Sequence, residues 1–101
     1  MEISNIEKNK TIKIDTENGA VFLSYMIKMK ISIKGKELEI MEKLWRQTPF
    51  DYDSDDAEQH LTRIEHEMFE MEKEAENIIE KVKESFINLE KILERYEYKV
   101  I

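Results

Sequence analysis

Between residues 51 and 76 the chain reads DYDSDDAEQHLTRIEHEMFEMEKEAE, eleven carboxylates against two basic side chains, Arg63 and Lys73. Carboxylates at this density can bind a cation, act as acid and base on a substrate, or face a basic partner. Spacing separates the three. Asp51, Asp53 and Asp55 form a D-x-D-x-D run like the opening of a calcium loop. Such a loop needs glycine at its sixth position for a sharp turn and glutamate at its twelfth for bidentate ligation. Those positions hold Asp56 and Thr62. His60 and His66 are six apart, so a helix puts them on different faces rather than in the i, i+4 pair of a zinc helix. His66 and Glu70 have that spacing but would need further ligands from elsewhere. Glu-x-x-Glu spacings such as Glu67 with Glu70 resemble metal-binding carboxylate helices, yet any glutamate-rich helix generates them. No metal site and no cofactor are expected.

The residues of other chemistries are sparse. There is no cysteine to serve as nucleophile, no G-x-S-x-G and no glycine loop to cradle phosphate. An enzyme is not expected. Lys28, Lys30 and Lys34 share one parity with Phe22, a hint of the basic and aromatic mixture that nucleic acid favours. Glu37 and Glu39 offset part of it, and no direct nucleic-acid ligand is expected. Trp45-Arg46 is a pairing found at binding hot spots, although a tryptophan also closes small cores. Six methionines could form a plastic surface or plain core.

That leaves a basic partner. Taken as helix, 26 residues rise about 39 Å, or one carboxylate per roughly 3.5 Å. A single DNA strand carries one phosphate per about 3.4 Å. The candidate partner-binding surface is Asp51, Asp53, Asp55, Asp56, Glu58, Glu65, Glu67, Glu70, Glu72 and Glu74. The expected function is a non-catalytic interaction protein whose acidic helix engages a basic protein. Its sharpest form is a phage-type, nucleic-acid-mimicking inhibitor of a nucleic-acid-processing complex, analogous in strategy and size to viral anti-CRISPR and anti-restriction proteins. No motif carries that analogy. The alternatives are a homo-oligomeric assembly or scaffolding protein and a small-ligand-binding oligomer with a pocket between subunits.

The elements that must position these residues differ between the two halves. Both glycines and the only proline, Pro49, precede residue 50. Residues 1–50 carry nine basic and seven acidic side chains, and residues 51–101 carry seven and sixteen. From Val21 to Ile33 every odd position is apolar, and Lys28, Lys30 and Ser32 alternate with them, the period of a strand with one buried face. Asn18-Gly19 and Lys34-Gly35 supply turns. A two-residue turn at Lys34-Gly35 pairs residues whose numbers sum to 69, setting Ile31 against Leu38 and Lys30 against Glu39, so both faces are satisfied by one register. Ile12 and Ile14 mark a weaker first strand.

After Ser54, a good N-cap, apolar residues recur with four-three spacing. The a-positions are Leu61, Met68, Ala75, Val82, Leu89 and Tyr96; the d-positions are Ala57, Ile64, Met71, Ile78, Ser85 and Ile92. Beyond Asn77 the e-positions Ile79, Phe86 and Leu93 widen this stripe, which suits cover on a sheet. The fold class is therefore α+β: an N-terminal three-stranded antiparallel β-meander over about 11–42, a connector over 43–54, and one long heptad-patterned C-terminal helix over about 55–97, all in one domain of 1–101. A helix of forty residues is roughly 60 Å long and should outrun three short strands. The expected outcome is a homodimer or higher oligomer, with Leu61, Ile64, Met68, Met71, Ala75, Ile78 and Val82 as the seam. The first ten residues lack a signal-peptide core and no apolar run could span a bilayer. Without cysteine, a cytoplasmic location is expected and no membrane partner.

Overall fold

The computed structural model describes residues 1–49 and 57–101. It shows three antiparallel strands and one helix: β1 (Glu2–Asp15), β2 (Ala20–Ile33), β3 (Lys36–Pro49) and α1 (Ala57–Leu93). The sheet order is β1-β2-β3, an α+β meander. Strand β2 pairs with β3 in the register expected from the turn, with Ile31 opposite Leu38 and Lys30 opposite Glu39. Lys34 and Gly35 have φ of 46° and 78°, and two positive values in succession give the type I′ turn that matches strand twist. At the other turn Asp15 Oδ1 accepts hydrogen bonds from the backbone N–H groups of Glu17 (3.1 Å) and Asn18 (3.2 Å). The Asn18 side-chain amide donates to Asp15 Oδ2 at 2.8 Å. The Asn18 amide, first through its side chain, holds the Asp15 carboxyl below its ordinary value.

The sheet is longer than its hydrophobic pattern shows. It runs from residue 2 to residue 49, not 11 to 42, and most of the expected connector, including Leu44 and Trp45, is strand β3. Each strand has 14 residues, about 46 Å at a strand's rise. The helix has 37 residues, about 55 Å. The described chain measures 64 × 20 × 17 Å, so helix and sheet are two rods of similar length. The premise that the strands are too short to cover the helix is thereby corrected.

What covers the helix is the odd face of β2. Val21, Leu23, Tyr25, Ile27, Met29, Ile31 and Ile33 are all buried, and Ile64, Met71, Ala75 and Ile79 of α1 are buried with them. Met68, Ile78 and Val82 pack at the margin of this cluster. The seam expected to meet another chain thus meets the chain's own sheet, apart from Leu61, which stays more than half exposed. The geometry of a straight α-helix explains which positions turn inward. A seven-residue repeat drifts by about 20° per heptad on a 3.6-residue helix, whereas an eleven-residue repeat stays nearly in line. The sheet-facing positions Ile64, Ala75 and Phe86 are eleven apart. The heptad line lies on the sheet through Met71 and Ala75, then swings away. Ile79, Phe86 and Leu93 take over, while Leu89, Ile92 and Tyr96 turn outward.

Strand β1 solves a related problem. Its register slips between Ser4 and Glu7, and Asn5 adopts a φ of 50°. The irregularity resets the alternation, so that Ile3 and Ile6 both pack on the core although their numbers differ in parity. The chain ends against the β2–β3 turn, where the Lys34 ammonium donates to the Tyr98 carbonyl at 3.3 Å and sits 3.9 Å from the Tyr98 ring centroid.

Candidate interaction surface on the acidic helix

The glutamates of α1 divide into two sets according to what lies beneath them. Strand parity sends Lys8 and Lys10 of β1, and Arg46 of β3, to the helix-facing side of the sheet, since they stand opposite Ile27, Tyr25 and Leu23. The helix runs between these cations. On the β1 side Lys8 pairs with Glu76 and Lys10 with Glu72. On the β3 side the Arg46 guanidinium forks to Glu67 and Glu74, two residues seven apart and so on one flank of the helix. Hydrogen bonding to Glu67 is the main cause that raises the Arg46 pKa above its ordinary value, and the bond to Glu76 does the same for Lys8. Each pair is partly exposed to solvent, so each is individually weak. Together they flank the apolar contact of the helix with the sheet on both sides.

The second set faces solvent. Glu58 and Glu65 are exposed and make no ion pair among the described residues. Glu70 meets only Lys73 of its own helix, at 3.5 Å. Large apolar side chains lie among them: Leu61 is 57 % exposed and Phe69 53 %, with the Lys73 ammonium 4.5 Å from the Phe69 ring centroid. The ion pairs on the β1 side set β1 antiparallel to α1, so Ile12 and Ile14, each 51 % exposed, continue toward the same end of the molecule. Between β1 and the helix runs an open groove of about 660 Å³, lined by Lys8, Lys10, Tyr25, Phe69, Glu72 and Lys73 among others.

Of the ten carboxylates expected to form a partner surface, Asp51, Asp53, Asp55 and Asp56 lie outside the described residues. Glu67, Glu72 and Glu74 are engaged with the chain's own sheet, and Glu58, Glu65 and Glu70 point outward. Among the described residues no three His, Asp or Glu side chains gather as metal ligands, and His66 is exposed on the helix surface. Also among the described residues, no helix is long and apolar enough to cross a membrane.

Two features escaped the sequence reading. The first is the cationic set Lys8, Lys10 and Arg46, whose signal was present: carried across the Asn18-Gly19 turn, strand parity places both lysines on the apolar face of the sheet. The second is the reverse side of that sheet. Trp45 is neither a core residue nor joined with Arg46 in one contact. It is 66 % exposed on the face opposite Arg46, with Met41 at 58 % and Phe22 at 37 %.

Fold and surface together define the class: an α+β protein made of an open three-stranded antiparallel sheet covered on one face by a single long acidic helix. Comparisons with protein-family models, with curated proteins and with solved structures return no match.

Proposed function

We propose that this is a non-catalytic interaction protein of the cytoplasm whose acidic helix docks on a basic protein surface, in its sharpest form an inhibitor occupying the cationic channel of a nucleic-acid-processing enzyme or effector complex. The observation that supports this reading is the make-up of the outward ridge of α1. Glu58 and Glu65 alternate with the exposed side chains of Leu61 and Phe69 along one line of the helix, and Glu70 lies farther round its solvent side. Carboxylates steer a basic partner and set register, and desolvated apolar side chains supply most of the affinity. The glutamates that hold the helix down neutralise Lys8, Lys10 and Arg46 on the helix-facing side of the sheet.

The test is binding to a panel of purified cationic nucleases and RNA-guided effector complexes at low and high salt. Wild-type protein should bind at least one of them, more weakly as salt rises. Glu65→Lys/Glu70→Lys should abolish the interaction while leaving thermal unfolding nearly unchanged. Binding that ignores both the salt and the charge reversal would overturn the reading, and so would absence of binding across the panel. A second reading, in which assembly is itself the function, draws on the exposed flank Leu89, Ile92 and Tyr96. It expects the same charge reversal to be harmless.

A further inference from the structure

The even positions of β2 face away from the helix onto a surface that no second layer covers among the described residues. Across the three strands this face can be read row by row. Asp15, Ala20 and Pro49 form the row nearest the Asn18-Gly19 turn, followed by Lys13, Phe22 and Gln47, then Thr11, Ser24 and Trp45, then Asn9, Met26 and Lys43. Next come Glu7, Lys28 and Met41, then Ser4, Lys30 and Glu39, and finally Glu2, Ser32 and Glu37. Three large apolar side chains stand exposed here: Trp45, Met41 and Phe22. Met26, between Phe22 and Lys28 on the same strand, is half-buried. A sheet face of this kind normally packs on another sheet or a helix.

The face is polarised along the strands. The half that carries Phe22 and Trp45 holds Lys13 and Lys43 against Asp15, whereas the half next to the Lys34-Gly35 turn holds Glu2, Glu7, Glu37 and Glu39 against Lys28 and Lys30. A two-fold axis that reverses the strand direction brings opposite halves together. With the Asn9, Met26 and Lys43 row of one copy set over the Glu7, Lys28 and Met41 row of the other, Met26 and Met41 gather near the centre and cover the stems of Lys28 and Lys43. Lys43 comes within reach of the second copy's Glu39, and Lys13 of the second copy's Glu2. A two-fold axis along the strands instead sets Glu2 over Glu37 and has no such match.

We infer that this face is the contact between two copies of the chain, stacked as a β-sandwich with strands antiparallel across the interface. The footprint is roughly 40 Å by 14 Å from strand rise and spacing. That is about 1,100 Å² over both copies, just under the range of stable interfaces and in that of weak ones, and side-chain relief adds to it. The expected dimer is therefore weak and concentration-dependent. It puts both helices on the outside with their acidic ridges free, so this inference stands or falls separately from the proposed function.

The experiment is sedimentation velocity over a dilution series, read beside the emission of Trp45, the only tryptophan. The wild-type chain should pass from about twice 12.2 kDa to 12.2 kDa on dilution, with a red shift as Trp45 returns to water. Met41→Glu should give a monomer that keeps its helical circular dichroism, and Met26→Lys provides a second such variant should the first fail to fold. Lys43→Glu and Glu39→Lys should each weaken the dimer tenfold or more, and the double variant should restore it. A particle that stays at 12.2 kDa at hundreds of micromolar would overturn the inference. So would a dimer indifferent to both methionine substitutions, or a double charge swap that restores nothing.

Discussion

The two faces of strand β2 are built from the same fourteen residues and have opposite fates. On the odd face seven consecutive side chains are buried, five of them with no measurable exposure. On the even face Phe22 and Lys30 are exposed and the side chains between them are half-buried. One helix makes the difference. The lesson is that a sheet of three strands has two surfaces to settle, and this chain spends its single helix on one of them. What holds that helix is apolar packing along a line of eleven-residue spacing, trimmed by ion pairs on both flanks. Among the described residues, the reverse face and the outer side of the helix stay exposed.

The comparison breaks most readily at the covered face. Ile27→Ala or Met71→Ala removes a side chain with no exposure from the shared core. Each should lower the unfolding free energy by about 2–5 kcal/mol. Met26→Ala, one residue from Ile27 on the reverse face, should cost under about 1 kcal/mol when urea unfolding is followed at a dilution that keeps the chain monomeric. Equal losses for Ile27 and Met26 would erase the distinction between the faces. The β2–β3 turn comes next. A Cβ at residue 35 would meet nothing within 4 Å, but the backbone φ there is 78°. Gly35→Ala should therefore cost about 1–2 kcal/mol through the left-handed conformation alone.

Smaller effects sharpen the account of the flanks. Ile92→Ser, on the helix's exposed side, should shift stability by no more than about 0.5 kcal/mol. The pH dependence has two ends. Asp15 has its folded pKa lowered by Asn18 and the turn backbone, so its contribution is complete above the ordinary value of 3.8 and fades as pH falls through the folded value. Lys8 has its folded pKa raised by Glu76, so its contribution is complete below 10.5 and is lost as pH climbs through the folded value. Asp15→Asn should flatten the acid limb of a stability–pH curve, and Lys8→Met the alkaline limb. Both groups lie at the surface, so these are the smallest changes of the set.

Much of the fold was legible because local signals agreed. The alternation from Val21 to Ile33 named the buried face of β2, and the Lys34-Gly35 turn fixed its register with β3. The outer strands were harder to read because each is an edge. Lys8, Lys10 and Lys13 on β1, and Glu37, Glu39, Glu42 and Lys43 on β3, are charges that blunt a strand against further pairing, and they hide its hydrophobic pattern. The helix misled in one respect. Over so long a stretch a four-three spacing reads as a coiled-coil seam, although the widening at Ile79, Phe86 and Leu93 already pointed to a sheet. The acidic surface was legible as composition but not as geometry. That Glu67, Glu72 and Glu74 would face Arg46 and Lys10 of the same chain depends on the strands being 14 residues long, and the sequence pattern understated that length.

The central claim is that the helix carries two kinds of glutamate, one that holds it to the sheet and one that faces outward. The most direct measurement is the unfolding free energy of two matched double variants at low salt, Glu67→Gln/Glu74→Gln and Glu65→Gln/Glu70→Gln. The first strips Arg46 of both partners and should cost about 0.5–2 kcal/mol, a loss that shrinks in high salt. The second should stay within about 0.5 kcal/mol of wild type. Equal losses from the two pairs, or a larger loss from the second, would contradict the division.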